Sequence, residues 1–228
     1  MSSIVLSPGA TGAAAFTIEA PSTATSRVIT LPDATDTLVG KATTDTLTNK
    51  TLVAPALGTP ASGDLTNCTN KVILGTEQAT TSGTSIDFTG IPSGVKRITV
   101  MYAGITMNAS ANLLIQIGDS GGIEITGYAS AAGDYVPTAN HTSSTAGFVC
   151  SGSTTYGSNA ARGVIVLNLE DASDFSWVAQ CSGSGSQPNT FAGTGNKSLS
   201  AVLDRVRITT VAGTSTFTAG SINILYES

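Results

Sequence analysis

The side chains able to do chemistry are few and scattered. The single histidine, His141, stands in Thr138-Ala139-Asn140-His141-Thr142-Ser143-Ser144, a run of loop-forming residues. With no second histidine, a Ser/His triad or a histidine-based metal centre is poorly supported. A solvated loop position accounts for His141 better than a polar ligand contact does. Glu170, Asp171 and Asp174 form an acidic turn after a strand-like run. Two carboxylates held roughly 5 to 9.5 Å apart would serve glycoside cleavage, but ordinary hairpin solubility or a weak cation site explains them better. Asp119-Ser120-Gly121-Gly122 and Ser182-Gly183-Ser184-Gly185-Ser186 are glycine-rich. They lack the lysine and following helix of a phosphate loop and read as turns. Arg205 and Arg207 lie two apart, on one face of a strand, and Lys96 and Arg97 precede another. Pairing with Asp204 or another carboxylate is the expectation for the arginines; contact with an acidic sugar or a partner chain is the alternative. Catalysis, metals and cofactors are therefore not expected.

What remains is recognition by flat apolar surfaces and neutral polar groups, the means by which sugars are commonly bound in wet contacts. Tyr135 and Tyr156 sit in long polar stretches with Asn140 and Asn159 close in sequence. With His141 these are the candidate ligand contacts, and the loops 129–143 and 152–161, then 182–196, are the candidate recognition loops. Trp177 alternates with Phe175 along a strand face and reads as core or intersubunit packing.

Composition narrows the class. Charged residues make up 11% of the 228, under half the usual share of about 25%. Abundant Ser and Thr and 25 glycines disfavour helical bundles and favour strands joined by tight turns. A net charge of −5 offers nothing to attract a polyanion, so nucleic acid is not an expected partner. Cys68, Cys150 and Cys181 are an odd number at wide spacing and match neither a zinc site nor a disulfide framework. Free buried thiols are the main reading; a Cys150–Cys181 bridge or an interchain Cys68 contact are the alternatives. The start, MSSIVLSPGATG, carries no basic region followed by a long apolar run, so no secretory signal is expected. No apolar stretch approaches the ~18 residues of a membrane span.

The chain divides into three. Residues 1–35 contain two short strand-like pieces that end at Pro21 and Pro32. Residues 36–75 are repetitive: Asp36-Thr37-Leu38-Val39-Gly40-Lys41 is followed nine residues on by Asp45-Thr46-Leu47-Thr48-Asn49-Lys50. Isolated apolar residues among threonines cannot bury enough surface to fold alone, and repeats of this kind stack on copies of themselves. From Thr84 strand-length runs follow one another: Ile86-Asp87-Phe88, Ile98 to Ile105, Leu113 to Ile117, Gly122 to Tyr128, Gly147 to Cys150, Gly163 to Leu169, Phe175 to Cys181, Leu199 to Thr210 and Thr216 to Tyr226. About nine short strands separated by turns predict an antiparallel β-sandwich or jelly roll. Ile98/Val100/Tyr102, Leu113/Ile115/Ile117 and Ile222/Ile224/Tyr226 are the predicted core rows. Val164-Ile165-Val166-Leu167 is apolar on both faces, the pattern of a strand covered on both sides, here by a neighbouring subunit.

The stretch TTDTLTNKTL, followed by PALGTPASGDLTNCT, resembles a repeat common in fibre proteins of tailed bacteriophages and prophages. VITLPDATDTLVG is similar to the lead-in of such proteins. DFTGIPSGVKRITVMYAGI, LLIQIGDSGGIEITGYAS and LDRVRITTVAGTSTFTAGSINILYES are similar to a C-terminal domain of many phage fibres. The resemblance implies an all-β homotrimer made in the bacterial cytoplasm and carried on the virion. Residues 1–35 would attach to tail or capsid proteins, 36–75 would form an extended intertwined shaft, and 76–228 would form a head that binds a host-surface glycan or protein. Leu38, Leu47, Leu52 and Leu57 would pack around the threefold axis. Three heads on one rod would raise avidity without new contacts. A capsid fibre or tail adaptor without receptor binding is the alternative. No membrane insertion is expected.

Overall fold

A computed structural model describes residues 71–135, 140–152, 160–185 and 190–228. The expected attachment segment, the shaft repeat with Leu38, Leu47, Leu52 and Leu57, and Cys68, Tyr156 and Asn159 lie outside the described residues.

The described chain is all-β. In order, its strands are β1 (Val72–Leu74), β2 (Gln78–Ala79), β3 (Ile86–Thr89), β4 (Arg97–Met107), β5 (Leu113–Asp119), β6 (Gly122–Ile123) and β7 (Ala129–Tyr135). There follow β8 (His141–Ser144), β9 (Phe148–Val149), β10 (Ala161–Asp171), β11 (Ser176–Ser184), β12 (Thr190–Ser198), β13 (Arg205–Thr210) and β14 (Phe217–Glu227). The larger sheet runs β1-β14-β4-β10-β11-β12-β7-β8, with β2 also pairing β14; the smaller runs β3-β13-β5-β6, with β9 also pairing β5. Every one of these pairings is antiparallel. Among the described residues the first strand of the larger sheet is β1, immediately after Lys71.

Alternation accounts for the long strands. Ile98, Val100, Ile165 and Leu167 of the larger sheet and Ile115, Ile117, Val206 and Ile208 of the smaller fall in one buried cluster. Two antiparallel sheets sharing a core make a sandwich-like fold. The three predicted core rows point inward; Tyr226 packs at the margin. Trp177 is buried in the same core. Val164 and Val166 differ from Ile165 and Leu167: they are only half-buried within the chain. Within the chain, the strand covered on both faces is β5, whose Leu114 packs with Ala132, Val149 and Ala146 behind the main core.

Three stretches read as loops are strands: β7, β8 and β12. Apart from Phe191 of β12, their inward faces carry small or polar residues rather than bulky apolar ones, so no hydrophobic alternation announces them. In β7 the inward positions are Ser130, Ala132 and Asp134. Ser130 Oγ accepts a hydrogen bond from the Val149 N–H at 3.0 Å, and Asp134 Oδ1 accepts one from the Gly152 N–H at 2.8 Å. These bonds satisfy polar groups that could not otherwise be buried. Conversely, the run from Gly122 to Tyr128 is strand only over Gly122–Ile123, and Leu199 to Thr210 only from Arg205. Leu199 and Leu203 reach the core from a connecting segment, which is why that run looked like a strand.

Cys150 and Cys181 are free and buried; the Cys181 thiol donates to the Cys150 carbonyl at 3.4 Å. The hydrogen bond shared with Cys181, together with burial, pushes the Cys150 thiol well above its ordinary pKa, so it is protonated and inert. Iodoacetamide should label Cys150 only after the head is unfolded by denaturant. Peptide mass spectrometry showing comparable native labelling would contradict this packing.

Candidate functional site

Most of the charged groups singled out in the sequence are occupied within the chain. Arg207 makes a two-pronged contact with Asp87, at 2.7 Å on both arms, and Arg205 does the same with Asp204 at 2.6 and 3.1 Å. The acidic turn between β10 and β11 organises itself. Asp171 Oδ1 accepts from the Ser173 N–H at 2.7 Å, Asp174 Oδ1 from the Ser176 N–H at 3.1 Å, and Glu170 Oε2 from the Ser176 hydroxyl at 2.6 Å. Asp119 likewise caps its turn through the Gly121 N–H at 2.7 Å and accepts from the Ser200 hydroxyl at 2.6 Å. Among the described residues no three His, Cys, Asp or Glu side chains gather as a metal cluster would require.

The concave feature lies elsewhere, on the outer face of the larger sheet where β11, β12, β7 and β8 run side by side. Register builds it. Gln180 faces Thr194, Thr194 faces Ala131, and Ala131 faces Ser143. One step along, Ala192 faces Gly133 and Gly133 faces His141. Because side chains alternate between faces, these residues all project outward, and most are small. The floor is consequently low and the flanking side chains stand above it.

Two open hollows result, of about 880 Å³ and about 590 Å³. Ala131, Val178 and Thr194 line both, so they run together as one trough. The first is bordered by Tyr128, Ser143, Ser144, Thr145 and Asn196; the second by Tyr135, His141, Asn168 and Gln180. Tyr135 is 71% exposed, an aromatic side chain held at the end of a strand. His141 opens β8 opposite Gly133, where the missing side chain leaves room for an imidazole over the sheet. Asn140 contributes its carbonyl to the Asp134 N–H at 3.0 Å, closing this hairpin, and does not line the trough.

Among the described residues no Asp, Glu, Lys or Arg lines either hollow. The trough offers hydroxyls, carboxamides, an imidazole and an aromatic side chain over a floor of Ala, Gly and Thr. Such a surface can hydrogen-bond a neutral polyol and stack on an apolar sugar face. Of the residues predicted from sequence, the structure brings Tyr135 and His141 together here. Ala131, Ala192, Thr194 and Asn196 fall within the candidate loops 129–143 and 182–196 without having been singled out, and Asn168 and Gln180 lie outside all of them.

Beneath the trough lies a polar buttress. Lys197 is buried on the inner face of β12, ion-paired to Glu124, bonded to the Ser198 carbonyl at 2.6 Å and 5.6 Å from the Tyr128 ring centroid. The Tyr128 hydroxyl accepts from the Ile117 N–H at 2.8 Å and donates to the Glu124 carbonyl at 2.9 Å; burial raises its pKa. This network clamps β12 and the trough edge to the smaller sheet. No family model, curated protein or solved structure matches the chain, so the reading of the trough rests on its own geometry and residues.

Proposed function

We propose that this chain is a non-enzymatic bacteriophage virion component, a homotrimeric tail fibre whose head adheres to a neutral glycan of the host surface through the trough. The observation that carries the ligand class is the uncharged lining of hydroxyl, amide and aromatic groups along two connected hollows. An acidic polysaccharide would leave its carboxylates unpaired there, at a desolvation cost. The fibre assignment is supported by the repeat and flanking stretches quoted above. Adhesion is reversible and rests on many weak contacts, multiplied by three heads.

The test is binding of labelled full-length protein to a panel of bacterial strains and to arrayed neutral and acidic bacterial polysaccharides. Retention on a subset of strains and on neutral glycans is expected. Ala131→Arg, which raises a long cation from the trough floor, should weaken that retention at least about tenfold, equivalent to ~1.4 kcal/mol. Equal binding by this variant would remove the trough as the site. No binding to any strain or glycan would favour a capsid fibre or tail adaptor without receptor contact, and oligosaccharide release would mark an enzyme instead.

A further inference from the structure

The same outer face has a second region, apolar rather than hollow, on strands β1, β14, β4 and β10. Leu74 faces Leu225 across the β1–β14 pair, and Met101 faces Val164 across β4–β10. Val166 stands in the row of Leu225, with Thr99 between them. Val72 and Leu74 are each 62% exposed. A row of large apolar residues spread over adjacent strands is what a soluble sheet face normally avoids unless it is covered.

We infer that this face packs against two further copies of the same chain and is the head's contact surface in the trimer; the inference rests on the trimeric reading above. Three observations select this occupant. First, the 70 residues that carry the self-stacking repeat join the sheet at Lys71, directly before β1. Copies held together along that segment thus begin their heads at the strand that bears Val72 and Leu74. Second, its apolar centre is uncharged and its border carries both signs: Arg97 and Glu227 satisfy one another at 3.5 Å, and Arg162 and Glu170 stand at opposite ends of β10. Such a face meets its own copy without like-charge repulsion. Third, its size fits. β14, β4 and β10 have 11 residues each. At ~3.3 Å per residue and ~4.8 Å between strands, they span roughly 36 Å by 14 Å. That is about 500 Å² before β1 is added, of the order of the ~800 Å² per partner of a stable interface.

The experiment uses the full chain in a Cys68→Ser background. Light scattering should return three times the 22.8 kDa chain mass. Leu74→Cys, oxidised by dioxygen with copper phenanthroline, should give covalent dimers on a non-reducing gel, whereas Thr214→Cys, exposed on the turn after β13, should not. Val166→Asp should raise the trimer dissociation constant at least tenfold. A trimeric protein in which Leu74→Cys stays uncross-linked, or cross-links no better than Thr214→Cys, overturns the assigned face and leaves the fibre reading standing. A monomeric parent protein overturns both.

Discussion

Gly220→Val is expected to destabilise the head by about 2–6 kcal/mol and to leave little folded protein at 37 °C. Gly220 lies in β14 with φ +104°, a backbone region that side chains rarely enter; forcing one there costs about 1–3 kcal/mol. An added Cβ would also stand 2.6 Å from the carbonyl carbon and oxygen of Gly104 on β4. That clash is with backbone, so it cannot be relieved by a rotamer change, and overpacking of this kind costs another ~1–3 kcal/mol. The site is the double irregularity in the β14–β4 register, between Phe217 and Ala219 and between Ala219 and Ser221. Two central strands approach there without side chains between them. Urea unfolding followed by Trp177 fluorescence measures the effect. A variant within about 1 kcal/mol of the parent would mean that the two backbones do not meet in this way.

Lys197→Met should cost about 3 kcal/mol, because it leaves Glu124 half-buried without its cation while the shape of the side chain is nearly kept. For a head of this size that corresponds to a melting temperature lower by about 6–12 °C. The pH dependence separates this cause from simple packing loss. Burial acts to raise the Glu124 pKa, but hydrogen bonds and charge from Lys197 and the bonds from Ser200 outweigh it, and the group titrates below its ordinary 4.5. Asp119, bonded chiefly by the Ser200 hydroxyl and the Gly121 N–H, is also held below its ordinary 3.8. Both carboxylates titrate lower folded than unfolded. They add stability that is complete above the unfolded values and disappears as pH falls through the lowered ones. The parent should therefore lose stability on acidification from about pH 5 to pH 3. In Lys197→Met burial acts on Glu124 with less opposition, so that loss should be shallower. Melting curves of the two proteins should converge toward low pH; parallel curves would show that the Lys197–Glu124 pair does not carry the effect.

The residues legible in advance were those whose burial follows from their own side chains. Ile98, Val100, Leu113, Ile115, Ile117, Ile222 and Ile224 alternate with polar neighbours, and water expels them whatever they pack against. The all-β class followed from the same alternation and from the density of turn formers. Tyr135 and His141 were legible for the opposite reason: a large aromatic or imidazole amid Ser, Thr and Asn has nothing local to bury it.

What only the tertiary structure decided is where small and polar residues go. Nothing in Ala129-Ser130-Ala131-Ala132-Gly133-Asp134 marks an inner and an outer face. The ladders to β12 and β8, and the N–H groups of Val149 and Gly152, assign them. The trough exists because those small outward side chains from separate strands come into register, and register is a relation between strands far apart in the chain. Lys197 makes the same point. As a lysine in a polar run it belongs by type in water, and only the approach of Glu124 and Tyr128 from distant segments makes its burial tolerable.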